Sequence, residues 1–203
     1  MADQPAETLL GQTPSQTVGP YFAYGLTPQQ YGYPLAEIAS GRLAGDDAEG
    51  QRIRIEGKVY DGAGAAIPDA MIEIWQADAQ GRYAHPADPR GSNADFRGFG
   101  RFGTGTDGDS RFIFDTVKPG AIGDGQAPHV NVIVFMRGIL VHAFTRLYFS
   151  DEAAANAADP VLSSVPEDRR HTLVAERRDG PTGTVYRFDI HMQGADETVF
   201  FDV

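Results

Sequence analysis

The sequence predicts an all-β protein, a β-sandwich with an extended N-terminal arm and two short helices. Short runs of alternating apolar and polar residues recur along residues 51–203, and turn residues rich in Gly, Asp and Pro separate them. A period of two is typical of half-buried strands, and many such strands with little helix favour a sandwich. We therefore divide the chain into an N-terminal arm, residues 1–50, and a β-sandwich, residues 51–203, within a single domain overall.

The arm mixes Pro and Gly with aromatic side chains and has no sustained period. Polar tails of that kind are usually disordered, but this one carries too much aromatic surface to leave in water. The aromatic residues from 21 to 33 are Tyr21, Phe22, Tyr24, Tyr31 and Tyr33. Two interpretations stay open, because the arm can pack on its own domain or cross onto a partner.

The strand signal begins at residue 52, where Ile53, Ile55 and Val59 alternate with charged residues. A turn follows at residues 61–64, which read Asp-Gly-Ala-Gly. Six further strands are predicted at residues 71–76, 112–117, 129–136, 140–149, 184–192 and 198–203. The Gly-rich tract between residues 96 and 112 matches no nucleotide-binding loop, and we expect loops flanking a strand there.

Two short helices interrupt the predicted strands. The first covers residues 151–159, with Ser150 as its N-cap and two acidic residues in its first turn. The second covers about residues 166–177, with Pro166 near its first position.

Composition excludes several classes of site. The chain has no cysteine, which rules out disulfides, thiolate metal sites and cysteine nucleophiles. Its net charge of −11 argues against a nucleic-acid partner, and an anionic substrate would need a local arginine. Neither a signal-like segment nor a run of 18 apolar residues is present, so we expect a cytoplasmic protein with no membrane partner.

One predicted strand carries His129 and Asn131, which point to the same face because side chains alternate along a strand. Two residues at this spacing can present two ligands to one metal, but a neutral Asn amide is a poor ligand for iron. No HxH, HExxH or facial-triad spacing is present. Spacing alone therefore favours His129 as a hydrogen-bonded, half-buried histidine.

Arg137 follows the same apolar strand. Its guanidinium can extend to solvent, pair with an acid, or bind a carboxylate through two parallel hydrogen bonds. The residues alone leave these three interpretations open.

Several separated motifs resemble the intradiol ring-cleaving dioxygenases. Residues 55–83 contain I-x-G-x-V, a turn, IPDAMIEIWQAD and GRY; KPG follows at 118–120 and PHVN at 128–131. The resemblance covers roughly residues 10–203, including SQTVGPY in the arm. It implies an intradiol dioxygenase-like β-sandwich.

The family binds a non-haem Fe(III) through two tyrosines and two histidines. The resemblance places Tyr83 and His129 at two of these ligand positions, and Ile122 and Asn131 at the other two. We call these four residues the vestigial site. Because two ligands are missing, the resemblance implies that this chain binds no metal and has no catalytic residue of its own.

One branch of the family is built from two homologous subunits and cleaves protocatechuate with O2 to 3-carboxy-cis,cis-muconate. Its β subunit carries the Fe(III), and its α subunit keeps the fold with an incomplete ligand set. The resemblance implies an α-type chain in a hetero-oligomer of α–β protomers, helping to bind protocatechuate and O2 at a shared site. The substrate-binding positions that it implies are Thr17, Gly19, Pro20, Tyr21 and Arg137.

Two alternatives remain at this stage. The chain can be a stand-alone binding or scaffold module on an intradiol-type fold, which the broken ligand set would explain. It can also be an iron enzyme with replacement ligands that the motifs do not reveal.

Overall fold

The computed structural model describes residues 11–19, 21–91 and 93–203. Nine strands lie in this part of the chain: β1 (Arg52–Tyr60), β2 (Met71–Gln76), β3 (Phe99–Gly103), β4 (Arg111–Val117), β5 (His129–Phe135), β6 (Ala143–Phe149), β7 (Val174–Gly180), β8 (Gly183–Arg187) and β9 (Ile190–His191). The α-helices are α1 (Phe22–Leu26), α2 (Ala153–Ala158) and α3 (Pro160–Ser164), and the 3-10 helices are Pro28–Tyr31, Thr104–Thr106 and Glu167–Leu173.

The strands form two facing sheets that share β7. Their order is β3-β2-β5-β6-β7-β8-β1-β4, with β9 parallel to β1. The start of β7 pairs in parallel with β6, and the rest of β7 pairs antiparallel with β8. The predicted all-β sandwich with few short helices is therefore confirmed. No helix in the described ranges is long and apolar enough to cross a membrane.

Alternation along the strands builds the core between the two sheets. In β5, Val130, Val132 and Val134 are buried and point inward, whereas Asn131 and Ile133 point to the other face. The inward side chains of the opposite sheet are also buried, among them Ile53, Ile55, Val59, Phe112, Phe114 and Tyr186. Because the valines fix which face is inside, they also fix which face carries His129 and Asn131.

A second apolar cluster covers the outer face of β6. It contains Ala127, Tyr148, Leu162, Val165 and Leu173, and so joins the segment before β5 to α3 and the following 3-10 helix. This cluster packs against one side of the region that contains His129.

The described part of the arm contacts its own domain in several places, two of them in its second half. Gln30 exchanges two hydrogen bonds with the backbone of Gly103, at 2.8 and 3.2 Å, along the edge of β3. Leu43 is buried in the core, and Arg42 forms a bridge to Asp115 on β4. These contacts anchor the second half of the arm, while the division of the chain at residue 50 stays a prediction.

The predicted strands at 71–76, 112–117 and 129–136 agree with β2, β4 and β5 to within one residue at each end. The strand predicted at 198–203 is wrong, because only Phe201 forms a bridge there. Its apolar residues pack on the outer face of β6 instead of joining a sheet. The strand predicted at 140–149 begins only at Ala143, since the residues before it form the β5–β6 turn.

The helix predicted at about 166–177 is also wrong beyond Leu173. Residues 174–180 form β7, which the sequence analysis missed because its charged Glu-Arg-Arg-Asp run lacks alternation. The predicted N-cap of the first helix is also wrong, because the Ser150 hydroxyl accepts a 3.0 Å hydrogen bond from the Arg177 backbone N–H in β7. Glu152 takes the N-cap position of α2, without a side-chain cap bond.

Asp159 connects the helices to the segment that carries His129. Its fully buried carboxylate accepts hydrogen bonds from the Val161 and Leu162 N–H groups at the start of α3, at 2.9 and 2.7 Å. It also accepts from the Ala127 N–H at 2.8 Å and from the Tyr148 hydroxyl at 3.1 Å. One carboxylate therefore caps a helix and fixes the residue two positions before β5.

We predict that Asp159→Ala lowers the free energy of unfolding by about 3 to 5 kcal/mol, because it leaves buried donors without their acceptor. Asp159→Asn should lose less, since its amide oxygen can still cap α3. Urea denaturation of the two variants measures both losses. The exposed Asp196→Ala serves as control; equal losses at positions 159 and 196 would contradict the role given to Asp159.

Candidate functional site

The sheet that contains β3, β2, β5 and β6 carries a row of large side chains on its outer face. Trp75 on β2 lies directly opposite Asn131 on β5, and Asn131 lies directly opposite Arg146 on β6. Directly paired residues on neighbouring strands share a face, so the three side chains are neighbours. Trp75, Asn131 and Arg146 are each half-buried.

Tyr83 reaches this row from the loop after β2. Its ring stacks on Trp75, with 5.6 Å between centroids and 7° between planes. Burial raises the pKa of the Tyr83 hydroxyl, against the opposite influence of the Arg146 charge and the Asn131 side chain. The phenol is therefore neutral at neutral pH, and its oxygen lies close to Asn131 and Arg146.

A close backbone approach positions Ile122 beside this loop. Gly81 has a φ of +74°, and a Cβ there would stand 2.0 Å from the Ala121 carbonyl oxygen. Only glycine fits such a contact, which explains the Gly of GRY. Ile122 follows Ala121 directly and is half-buried, so this position of the vestigial site carries an apolar side chain.

His129 is 2% exposed, and its orientation is fixed by the backbone. Its Nδ1 lies 2.8 Å from the Ala127 carbonyl oxygen, so Nδ1 carries the proton and donates. Among the described residues Nε2 has no hydrogen-bond partner, although it is buried. Burial lowers the pKa of His129, and the Arg146 charge adds to that effect. The ring is therefore neutral, with a lone pair on Nε2.

These residues do not fit an iron ion. Tyr83 and His129 supply two ligand atoms of the kind that iron accepts, whereas Ile122 supplies none and Asn131 a weak one. In the described ranges, no group of three or more His, Cys, Asp or Glu side chains lies close enough to hold a metal. The donor set is too small and too weakly charged for Fe(III).

Thr17 and Arg137 lie at the opposite end of β5. The Gly138 N–H donates to the Thr17 hydroxyl at 2.9 Å, which ties the arm to the β5–β6 turn. Beside it, Arg137 contacts Asp69 through Nε. About 20 Å separates the ends of β5 at ~3.3 Å per residue, so Arg137 is remote from His129 in its own chain.

The surface around Arg137 is exposed and partly apolar. Tyr21 is 77% exposed, and Leu140 and Val141 in the β5–β6 turn are 65% and 62% exposed. Gly19 is also exposed, and its carbonyl accepts a hydrogen bond from Phe22 N–H at 3.2 Å. Pro20 lies outside the described residues. The structure thus separates the predicted residues into two groups, the vestigial site at one end of β5 and the Arg137 surface at the other.

The sequence analysis missed two residues at the vestigial site. Arg146 stands on the outer face of an otherwise apolar strand, which is a signal that alternation could have supplied. Asp159 precedes a Pro in a helix-start pattern, but nothing in the sequence connects it to Ala127 or Tyr148.

Comparison with known proteins agrees with these motifs. The Dioxygenase family model matches residues 18–194. The chain is 58% identical to the protocatechuate 3,4-dioxygenase alpha chain of Burkholderia cepacia, over 97% of this chain and 100% of that one. It is 46% identical to the alpha chain of Pseudomonas putida, over 96% and 98%. A beta chain of Burkholderia cepacia is 32% identical over 80% of this chain and 73% of its own length.

Solved structures share the fold at low sequence identity. An intradiol ring-cleavage dioxygenase from Tetranychus urticae has a TM-score of 0.59 and 17% identity, over 90% of this chain and 94% of that one. The dioxygenase domain of a carbohydrate-binding fusion from Streptomyces sp. SirexAA-E has a TM-score of 0.56 and 22% identity, over 91% and 100%. Fold, motifs and relatives agree, and the chain belongs to the intradiol ring-cleavage dioxygenase family, in which it is similar to the alpha chains of protocatechuate 3,4-dioxygenase.

Proposed function

We propose that the chain is the non-iron-binding α subunit of a protocatechuate 3,4-dioxygenase. In this proposal a homologous β subunit holds the Fe(III), and the α–β protomers assemble into a hetero-oligomer. The complex cleaves protocatechuate with O2 to 3-carboxy-cis,cis-muconate. The cytoplasmic location expected from the sequence is part of the same proposal.

The observation that carries the proposal is an intact frame around an incomplete ligand set. His129 keeps the hydrogen bond to Ala127 that orients a ligand histidine, and Tyr83 keeps its stacked position. Ile122 and Asn131 nevertheless leave the site two ligands short. A chain with this frame fits the role of a partner subunit better than that of an independent iron enzyme.

The Arg137 surface supports a contribution to the partner's site. We propose that Arg137, with Thr17, Gly19, Pro20 and Tyr21, borders the substrate cavity of the β subunit. Asp69 contacts only the Nε of Arg137 in the described residues, which leaves the two terminal nitrogens for a carboxylate. Two parallel N–H groups suit the carboxylate of protocatechuate.

The role of this surface in the reaction is binding and orientation. The arginine fixes one end of the aromatic acid, so that the ring is held in one position for the chemistry on the other subunit. Tyr21 and the turn residues Leu140 and Val141 exclude water around that contact once a partner covers them. An arginine is needed because the chain has a net charge of −11, which repels an anion.

We expect the full chain to be colourless and free of iron when purified alone. Co-purified with a homologous β subunit, it should form a complex that contains iron and shows a tyrosinate-to-Fe(III) charge-transfer band. Metal analysis and visible spectroscopy measure both properties. Iron and colour in the isolated chain would contradict the proposed division of labour, and so would a chain that never associates with a β subunit.

We predict that Arg137→Ala in the complex lowers kcat/KM for protocatechuate about tenfold or more. The loss of a buried charge-assisted contact corresponds to roughly 1.5 to 3 kcal/mol. Iron content should stay unchanged, because in this proposal Arg137 binds the substrate carboxylate and is not an iron ligand. The matched control is Arg178→Ala, which removes an exposed arginine paired with Glu176. Equal kinetics for both variants and the wild type would remove Arg137 from the site.

Deletion of residues 1–19 tests the arm independently. The deletion removes Thr17 and Gly19 but keeps the Gln30 contacts with Gly103, so the chain itself should fold with an unchanged melting temperature. We expect weaker association with the β subunit or a clear loss of turnover, measured by gel filtration and oxygen uptake. Thr17→Val is a milder variant that removes only the bond to Gly138. Normal assembly and turnover of the deletion variant would contradict the role of the arm.

A further inference from the structure

Arg146 is a charged residue at the vestigial site. It lies on β6 directly opposite Asn131, the position at which the family would have its second histidine. Two residues further along β6, Tyr148 lies directly opposite His129 on the same outer face. The register of β5 and β6 therefore places the Arg146 side chain beside Asn131, on the face that carries His129.

Contacts hold the guanidinium in this place. Arg146 donates from its NH1 nitrogen to the Gln126 side-chain oxygen at 2.9 Å, and Gln126 lies in the segment between Ile122 and His129. Tyr148, two residues further along β6, lies against the His129 ring, with 5.9 Å between the ring centroids. The guanidinium is thus held beside Asn131 and beside the segment that leads from Ile122 to His129.

We infer that Arg146 is a built-in cation that takes the place of the metal, and that its charge excludes iron from the vestigial site independently of the two missing ligands. The absence of metal binding then has two separate causes in this chain. Restoring the ligands removes only one of them.

The physical reason is the permanence of the charge. An arginine stays protonated at any pH at which the protein is folded, so a ferric ion would face a fixed like charge at contact distance. A guanidinium also donates N–H hydrogen bonds to acceptor atoms, and these are the same kind of atoms that would otherwise bind a metal. The buried Nε2 of His129, which has no hydrogen-bond partner among the described residues, remains an acceptor. The vestigial site is therefore built around a cation of its own.

The test restores the ligands with and without the charge. Ile122→Tyr with Asn131→His supplies the two missing ligands in the full chain and keeps Arg146. Adding Arg146→Gln removes the charge but leaves an amide that can still reach Gln126; adding Arg146→Lys keeps a positive charge instead. All three variants are loaded with Fe(III) citrate and desalted. Iron content, the visible tyrosinate band and a chelator competition are then measured.

We expect the Arg146→Gln variant to retain iron and show the visible band. Its affinity for iron should exceed that of the variants with arginine or lysine by about tenfold or more, since one like charge has been removed. Equal iron binding by the arginine and glutamine variants would overturn the inference. Failure of the glutamine variant to bind iron, with an unchanged thermal melt, would also overturn it.

A second pair of variants covers a failure to fold. Asn131→His alone, and Asn131→His with Arg146→Gln, are titrated with Cu²⁺, which binds nitrogen ligands more strongly than other divalent ions of its row. We expect saturable binding in the second variant and much weaker binding in the first. Similar affinities in the two variants would overturn the inference. Because the readout is metal binding by this chain alone, the result does not depend on whether the proposed α-subunit role is correct.

Discussion

The pairing of β5 with β2 and β6 is the constraint on which the rest of the molecule depends. Val130, Val132 and Val134 bind β5 to the core, and their alternation turns His129 and Asn131 outward. A slip of one residue would turn those polar side chains into the core between the sheets and turn the valines out of it. The same register puts Trp75 and Arg146 on either side of Asn131. The vestigial site is thus a consequence of how the core packs, and it persists without a metal.

The frame and the ligands of this site are held by different parts of the chain. Asp159 fixes Ala127, Ala127 fixes the ring of His129, and both bonds are buried and structural. Gly81 lets two loops approach closely enough to bring Ile122 beside Tyr83. Loss of metal ligands therefore costs the fold little, because the hydrogen bonds that orient the ligands also cap a helix and close a loop.

Much of the fold was predictable because alternation and core burial coincide in β1, β2, β4 and β5. The prediction failed at β7, because its first two residues pair with β6 and its charged residues pair with β8, a tertiary arrangement that no local pattern reports. At the site, the resemblance to the family's motifs implied Tyr83, His129, Ile122 and Asn131, whereas spacing alone did not. Arg146 was not predicted, because its position opposite Asn131 on the neighbouring strand follows only from the strand register. Residues whose roles arise from pairing between distant segments remain invisible to a reading along the chain.

The contact between Asp69 and Arg137 has a consequence for assembly. A partner that covers this end of the sheet would strip water from a guanidinium, which is costly for an unpaired charge. Here the carboxylate is already in place, and it restrains a long side chain before any partner arrives. A partner that binds at this surface then has to restrict fewer rotamers of the Arg137 side chain. The folded chain therefore carries a guanidinium that its own carboxylate has already oriented, before anything binds to it.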